Sequence, residues 1–308
     1  MSINMKLFDD KISDDELLKA LDMTSGANLI QDMIDTAIAE AIEVNNPLRQ
    51  NMPRKKGEGS QYIANRRTAR GAAAFVDDTE EPSAVNSTYA QKGFAYKTIF
   101  YRGKVTRKLQ AAGKSYGEAL QDEIESGLQE VRDIEENGII NGDSTAPKEF
   151  DGLNKLCSSG VYNRTQDVEA PISKAILDEA IDQVIGQPSM IITSRRVSRE
   201  INALNQEFQR FNDTIEVKGG FRVSSYDGIP IYKSIYVPTN EGTGQNESRL
   251  YILEYGTDIF VSELTALKLE RLAKKSSQYD EFDVYEDLAL AIKNPLKVWE
   301  VTGIQPPA

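Results

Sequence analysis

The chain has 308 residues, of which 40% are hydrophobic and 27% charged, and its formal net charge is −12. That length supports a substantial core in one large or two moderate domains, and the acidic balance opposes binding to DNA, RNA and anionic membranes. With no histidine and a single cysteine, Cys157, the chain lacks Ser-His-Asp and Cys-His catalysis, His-ligated zinc, an internal disulfide and any multi-cysteine metal site.

Carboxylate pairs, lysines and Mg²⁺ sites remain open to it. Cys157 has no histidine partner and reads as a small buried hydrophobe rather than a nucleophile. No run of about 18 apolar residues occurs, so no transmembrane helix is predicted. The opening MSINMKLFDDKISDDELL carries acidic groups where a secretory signal needs an apolar core, which predicts synthesis and residence in a cytoplasm.

Residues 1–26 read as a polar, acidic arm. Residues 27–44 place Leu29, Ile30, Met33, Ile34, Ala37, Ile38, Ala41 and Ile42 at helical spacing. Asn45-Asn46-Pro47 ends that helix, because a residue before proline avoids the helical region. A basic run follows: Arg49, Arg54, Lys55, Lys56, Arg66, Arg67 and Arg70, against Glu58 alone. Just beyond lie Asp77, Asp78, Glu80 and Glu81. On the residues alone these are two solvated charge runs on a loop. The sharper alternative makes them complementary patches on an extended element that meet other copies of the chain. From Ser60 to Leu109 there is little core-forming power. Residues 94–110 alternate like a strand, with Phe94, Tyr96, Thr98 and Phe100 on one side and Lys97, Ile99 and Tyr101 on the other. A stretch this long with so little core predicts a hairpin that projects and packs on neighbouring subunits.

Ser115–Leu156 organises the chain. Leu120, Ile124, Leu128, Val131 and Ile134 form one helical stripe, and Glu118, Asp122, Glu123, Glu125, Glu130, Asp133 and Glu136 fall mostly off it. Ser115 and Glu118 can form a capping box. A helix over 115–138 is about 36 Å long at about 1.5 Å per residue. The segment breaks at Asn141-Gly142-Asp143 and Pro147. After a polar connection over 157–171, residues 172–186 read as a helix, 189–194 as a buried strand and 195–208 as a helix. Short strands follow over 215–237, a polar loop over 241–248, and strands over 249–255 and 258–264. The order over 172–257 predicts one α/β domain. Residues 267–273, 282–292 and 297–304 read as strands that pack back on the long helix, whose stripe otherwise lacks a sheet.

The motifs carry no catalytic chemistry. Gly113-Lys114-Ser115 matches the end of a phosphate-binding loop, but Lys108 stands where the first glycine is required. Asn141–Thr145 is rich in oxygen ligands yet lacks the acidic spacing of a calcium loop. Gly242-Thr243-Gly244 has no helix after it. No cofactor is predicted.

Two segments carry a family resemblance. Glu136-Asn137-Gly138-Ile139-Ile140-Asn141-Gly142-Asp143-Ser144-Thr145, followed by Phe150-Asp151-Gly152-Leu153-Asn154-Lys155, is similar to the spine-helix exit of tailed-bacteriophage major capsid proteins with the Hong Kong-97 (HK-97-like) fold. Ser144 stands where that family commonly has glycine. Asp227-Gly228-Ile229-Pro230-Ile231 and Asn294-Pro295-Leu296-Lys297-Val298-Trp299 resemble two further short family segments, and the order of elements matches along nearly the whole chain. The resemblance implies an α+β fold. Its parts would be an N-terminal arm and helix (1–57), an extended E-loop (58–108), a P domain with the spine helix (109–171), an α/β A domain (172–257) and returning P-domain strands (258–308). It implies a non-enzymatic subunit that self-assembles into pentamers and hexamers of an icosahedral head enclosing double-stranded DNA. The implied partners are other copies of the chain, a separate scaffolding protein, a portal and a decoration protein, with non-specific proximity to DNA and no membrane. The implied location is the virion, after synthesis in the host cytoplasm. In that setting Arg54, Lys55, Lys56, Arg66, Arg67, Arg70, Asp77, Asp78, Glu80 and Glu81 are candidate intersubunit contacts. Lys92 and Lys97 lie in the E-loop, but nothing identifies a crosslinking partner. The alternatives are an encapsulin-type nanocompartment shell, whose chains are usually shorter, and a carboxylate- or Mg²⁺-dependent two-lobed enzyme.

Overall fold

The computed structural model describes residues 46–307 except 79–80, 82–83, 113–118, 147, 159, 209–213, 218–220 and 274–277. The expected arm, the 27–44 helix, the Gly113-Lys114-Ser115 triplet and the Ser115–Glu118 capping box lie outside the described residues.

The described chain opens with a short helix, α1 (Pro47–Asn51), with proline at its first position, and a short strand, β1 (Arg54–Lys56). Strands β2 (Gln61–Ala69) and β3 (Thr88–Ala95) then pair as an antiparallel two-stranded ribbon. Strand β4 (Lys97–Thr106) follows directly, then α2 (Arg107–Ala112) and the long helix α3 (Ala119–Asn141). The strand expected over 94–110 is thus divided at Tyr96. Phe94 is buried on the hairpin side of the break. Beyond it Ile99, Gly103 and Val105 face inward, and Phe100 is half exposed. The change of partner sheet resets the alternation, because each sheet buries one face only.

Strand β4 belongs to a four-stranded sheet of order β1-β11-β12-β4, completed by β11 (Ile259–Arg271) and β12 (Tyr279–Ile292). The long helix packs on β4 and β12. Tyr101 packs on Gly127, where a Cβ would stand 2.6 Å from its ring, and its hydroxyl donates to Glu123 at 2.6 Å. The stripe is occupied as expected at Ile124 and Val131 but not at Ile134, which is 45% exposed. The buried face passes through Glu135 instead, four residues after Val131. Asp133 and Glu136 are buried too, because α1 covers a second side of the helix.

A second sheet has seven strands in the order β5-β13-β10-β6-β9-β8-β7. Its members are β5 (Thr165–Pro171), β6 (Met190–Thr193), β7 (Thr214–Val217), β8 (Phe221–Tyr226), β9 (Ile229–Lys233), β10 (Ser248–Leu253) and β13 (Val298–Gln305). Helices α5 (Lys174–Asp182) and α6 (Arg195–Phe208) serve this sheet, after a short α4 (Leu153–Cys157). Ser173 caps α5 by accepting the Ile176 N–H. The sheet's core includes Leu177, Ile191, Val197, Ile201, Leu250, Ile252, Val301 and Ile304. Two expectations change. The polar connection contains β5, an edge strand parallel to β13. Strand β13 does not return to the long helix. It pairs with β10 and β5, so only β11 and β12 complete the first sheet.

The exit of the long helix is a turn held by backbone and side-chain hydrogen bonds. Gly142 N–H continues the helical bonding to Gly138, and Gly152 N–H donates to the Gly142 carbonyl at 2.8 Å. Asp143 accepts the Thr145 N–H at 2.8 Å and Lys155 Nζ at 3.1 Å. These donors hold its carboxyl down at about 2, the Thr145 bonds contributing most. Ser144 N–H donates to Asp151 at 3.0 Å, Leu153 is fully buried, and Arg249 donates to Asn154 Oδ1 at 2.6 Å. Gly142 is required sterically, since a Cβ there would sit 2.4 Å from the Phe150 carbonyl and 2.5 Å from that of Gly138. Gly142→Ala is expected to destabilise the unassembled subunit by about 1–3 kcal/mol, the usual range for overpacking. Urea unfolding followed by circular dichroism checks this, and an unchanged midpoint would remove the steric role.

Candidate functional site

Two regions stand out: the join between the 46–56 segment and the body, and the two-stranded hairpin. The join is ionic and buried. Glu135, with no exposed area, pairs with both Arg49 and Arg54. Arg49 also reaches Glu286 at 3.2 Å, and Arg54 pairs with Glu263. Among the described residues Glu136 has no ion-pair partner. It accepts the N–H groups of Leu48 and Arg49 at 3.2 and 3.0 Å, at the start of α1. Asn46 Nδ2 donates to Asp133 at 2.8 Å. Strand β1 then adds to the edge of β11 in parallel, Arg54 opposite Val261 and Lys56 opposite Glu263.

Carboxylates outnumber guanidiniums in this cluster. Burial pushes the Glu286 carboxyl up despite Arg49, and pushes Glu136 up to about 7 despite its two backbone donors. These carboxylates were not singled out as inward-facing from the sequence. The one sequence signal for Glu135 is its i+4 spacing from Val131.

The candidate contact residues divide into two groups. Arg54 and Lys55 are engaged within their own chain. Arg54 belongs to the ionic cluster, and Lys55 reaches the Thr257 carbonyl at 3.2 Å and lies 4.0 Å from the Phe260 ring centre. Lys56 is exposed beside them. Arg66, Arg67 and Arg70 lie far along β2 and just past it, and line one cleft together with Lys293. Arg66 is half-buried over Tyr162, and Arg67 sits 5.6 Å from the Tyr89 ring. Asp77, Asp78 and Glu81 are exposed at the hairpin tip, and Glu80 lies outside the described residues. The hairpin base is anchored by Ala64 and Phe94, which are buried, and by Tyr62 edge-on to Phe260 at 5.3 Å. On the opposite face of the base Ile63 is 51% exposed, and farther out Tyr89 is 66% exposed. Cys157 is buried, and burial raises its thiol well above the ordinary value, as suits a core residue.

A long helix on a sheet that also carries a two-stranded hairpin, joined to a second mixed sheet, is the arrangement of the HK-97-like capsid fold. The chain is similar to the SrpI encapsulin of Synechococcus elongatus PCC 7942, with 12% identity over 92% of this chain and 95% of that one, at a TM-score of 0.71. It is similar to the capsid protein of cyanophage A-1(L), with 11% identity over 90% and 98%, at 0.71. Gordonia phage Cozz gives 13% identity over 100% and 99%, at 0.64. No curated protein matches the sequence. The model of the SU10 major capsid protein family matches residues 102–305, and the chain belongs to that family.

The ionic join generates a pH prediction. A carboxyl whose proton is held more tightly in the folded state contributes stability below its unfolded value, here 4.5, and that contribution is lost as pH rises through about 7. The melting temperature of the wild-type subunit, relative to Glu136→Gln, is therefore expected to fall between about pH 5 and about pH 8. Scanning fluorimetry of both proteins checks this, and a constant difference across that range would contradict it.

Proposed function

We propose that this chain is the major capsid protein of a tailed phage, a structural subunit that assembles into pentamers and hexamers of an icosahedral head around double-stranded DNA. The match of the family model over residues 102–305 carries the reading. The encapsulin likeness is one of fold. It sits beside phage capsids of equal similarity, and the family match favours the phage. In this reading the protein acts by binding copies of itself and catalyses nothing. Its further partners are a scaffolding protein, a portal and a decoration protein. DNA is met without sequence preference, against the opposing net charge. The subunit is made in the host cytoplasm and ends in the virion.

The hairpin is the element that reaches other copies. Much of its outer surface is exposed, and its removal would leave both sheets intact. Lys56, Arg66, Arg67, Arg70, Asp77, Asp78, Glu80 and Glu81 are the proposed contacts, with Arg54 and Lys55 assigned to the subunit's own core. Opposite charges on one element set the register between copies.

Size-exclusion chromatography with negative-stain microscopy tests the reading. Closed shells or capsomer-sized rings are expected. Discrete species below about a tetramer under every salt and scaffold condition would overturn it. Arg66→Glu with Arg67→Glu is expected to leave the subunit folded by circular dichroism and to impair assembly. Normal shells from that double variant would refute the electrostatic register.

A further inference from the structure

A cleft of about 500 Å³ opens where three segments around the seven-stranded sheet meet. They are the start of α6, the 234–246 connection between β9 and β10, and Pro306 just past β13. Arg195, Arg196 and Arg199 line it, and no carboxylate among the described residues does. Asn240 and Asn246 line it from the connection, each with a side-chain amide that can donate. The cleft beside β2, by contrast, includes Asp258.

The three arginines differ in their commitments. Arg196 serves its own chain, donating to the Ile304 carbonyl at 2.8 Å and pairing with Glu200 at 3.5 Å. Arg195 and Arg199 are exposed and have no hydrogen-bond or ion-pair partner among the described residues. Arg199 acts on Glu200 only through space. Arg195 and Arg199 stand four residues apart on one face of the helix, about 6 Å along its axis at about 1.5 Å per residue. Like charges at that spacing repel, and the first turn of a helix is the end where cations are unfavourable. The first turn of α6 holds no acidic residue to offset them. Local rules broken without compensation inside the chain point to compensation from outside it.

We propose that this cleft binds the oxygens of phosphate groups, supplied by a DNA backbone or by free phosphate. Guanidinium forks match phosphate oxygens two at a time. The lining holds no aromatic ring on which a base would stack, so a nucleic acid is met by its backbone alone. One strand of a duplex carries a charge per about 3.4 Å of axis, so two arginines about 6 Å apart face about two phosphates. The net charge of −12 opposes approach from afar, and the cleft is a local exception to it. The inference goes beyond the shell reading and does not need it, since one chain holds the whole cleft.

The full-length unassembled chain is titrated against labelled duplex DNA by fluorescence anisotropy, at about 50 to 200 mM salt, and against inorganic phosphate by calorimetry. For DNA, log affinity is expected to fall with log salt at a slope of about −2, at about −0.9 per phosphate. Arg195→Gln with Arg199→Gln is expected to keep the circular dichroism, weaken binding roughly tenfold or more and flatten that slope. Arg107→Gln with Lys108→Gln removes the same charge from another exposed site, and is expected to change affinity by less than about threefold. DNA binding that depends on Arg195 and Arg199 upholds the site with a backbone as its ligand. Phosphate binding that depends on them, without DNA binding, upholds it with free phosphate. A polyglutamate peptide held more tightly than either probe by the same two arginines would overturn the phosphate assignment in favour of a protein partner. Equal losses in both double variants, or no binding of either probe that depends on Arg195 and Arg199, would overturn the site. Each of these outcomes leaves the shell reading to be decided by microscopy.

Discussion

The structure depends on one carboxylate taken out of water, Glu135, and on the two partly exposed arginines that reach it. Arg49 and Arg54 enter the body at Glu135, a residue with no exposed area, and continue to Glu286 and Glu263 on the two central strands of the four-stranded sheet. Charges buried in this way are poor sources of net stability, because desolvation offsets most of their attraction. They are strong sources of specificity, since loss of either partner leaves an uncompensated charge inside. The cluster therefore selects one seating of the 46–56 segment among many that hydrophobic contact alone would tolerate. Glu136 completes the selection by accepting the first free N–H groups of α1, the groups any helix start leaves unsatisfied.

The other end of the long helix is fixed by different means. There the backbone approaches itself too closely for side chains at Gly142, and a set of short polar residues satisfies the turn. Arg249 links this turn to the second sheet, contacting Asn154 at 2.6 Å and Glu300 at 2.7 Å. Asn141 adds a bond to the Tyr236 carbonyl at 2.7 Å. One helix is thus held to the first sheet by packing and to the second by hydrogen bonds at its last turn.

What the residues alone revealed follows from the range of the forces involved. The long helix, α5 and α6 were legible because helical period is a local property. The exit turn was legible because glycine, asparagine and aspartate mark turns for local reasons. The inward carboxylates were not, since Glu135 meets Arg54 across 81 residues and Glu286 meets Arg49 across 237. Strand β5 was read as a connection because it is a largely polar edge strand with no apolar run. Strand β13 has the pattern of a buried strand in either sheet, and only its partners decide between them. The basic run of 49–70 looked uniform in sequence. Folding sends Arg49 and Arg54 inward and leaves Arg66, Arg67 and Arg70 along a cleft.

The hairpin has a mechanical consequence. Its β2 strand has nine residues, about 30 Å at about 3.3 Å per residue, and it is held at its base by Ala64 and farther out by Arg66 over Tyr162. A tilt of about 10° at that base sweeps the tip through about 5 Å, close to the spacing of adjacent strands. By geometry alone, a small difference in angle near Tyr62 and Phe94 becomes a large difference in where the tip lies. If the hairpin makes the proposed contact, that geometry lets it reach neighbours set at different angles while both sheets stay unchanged.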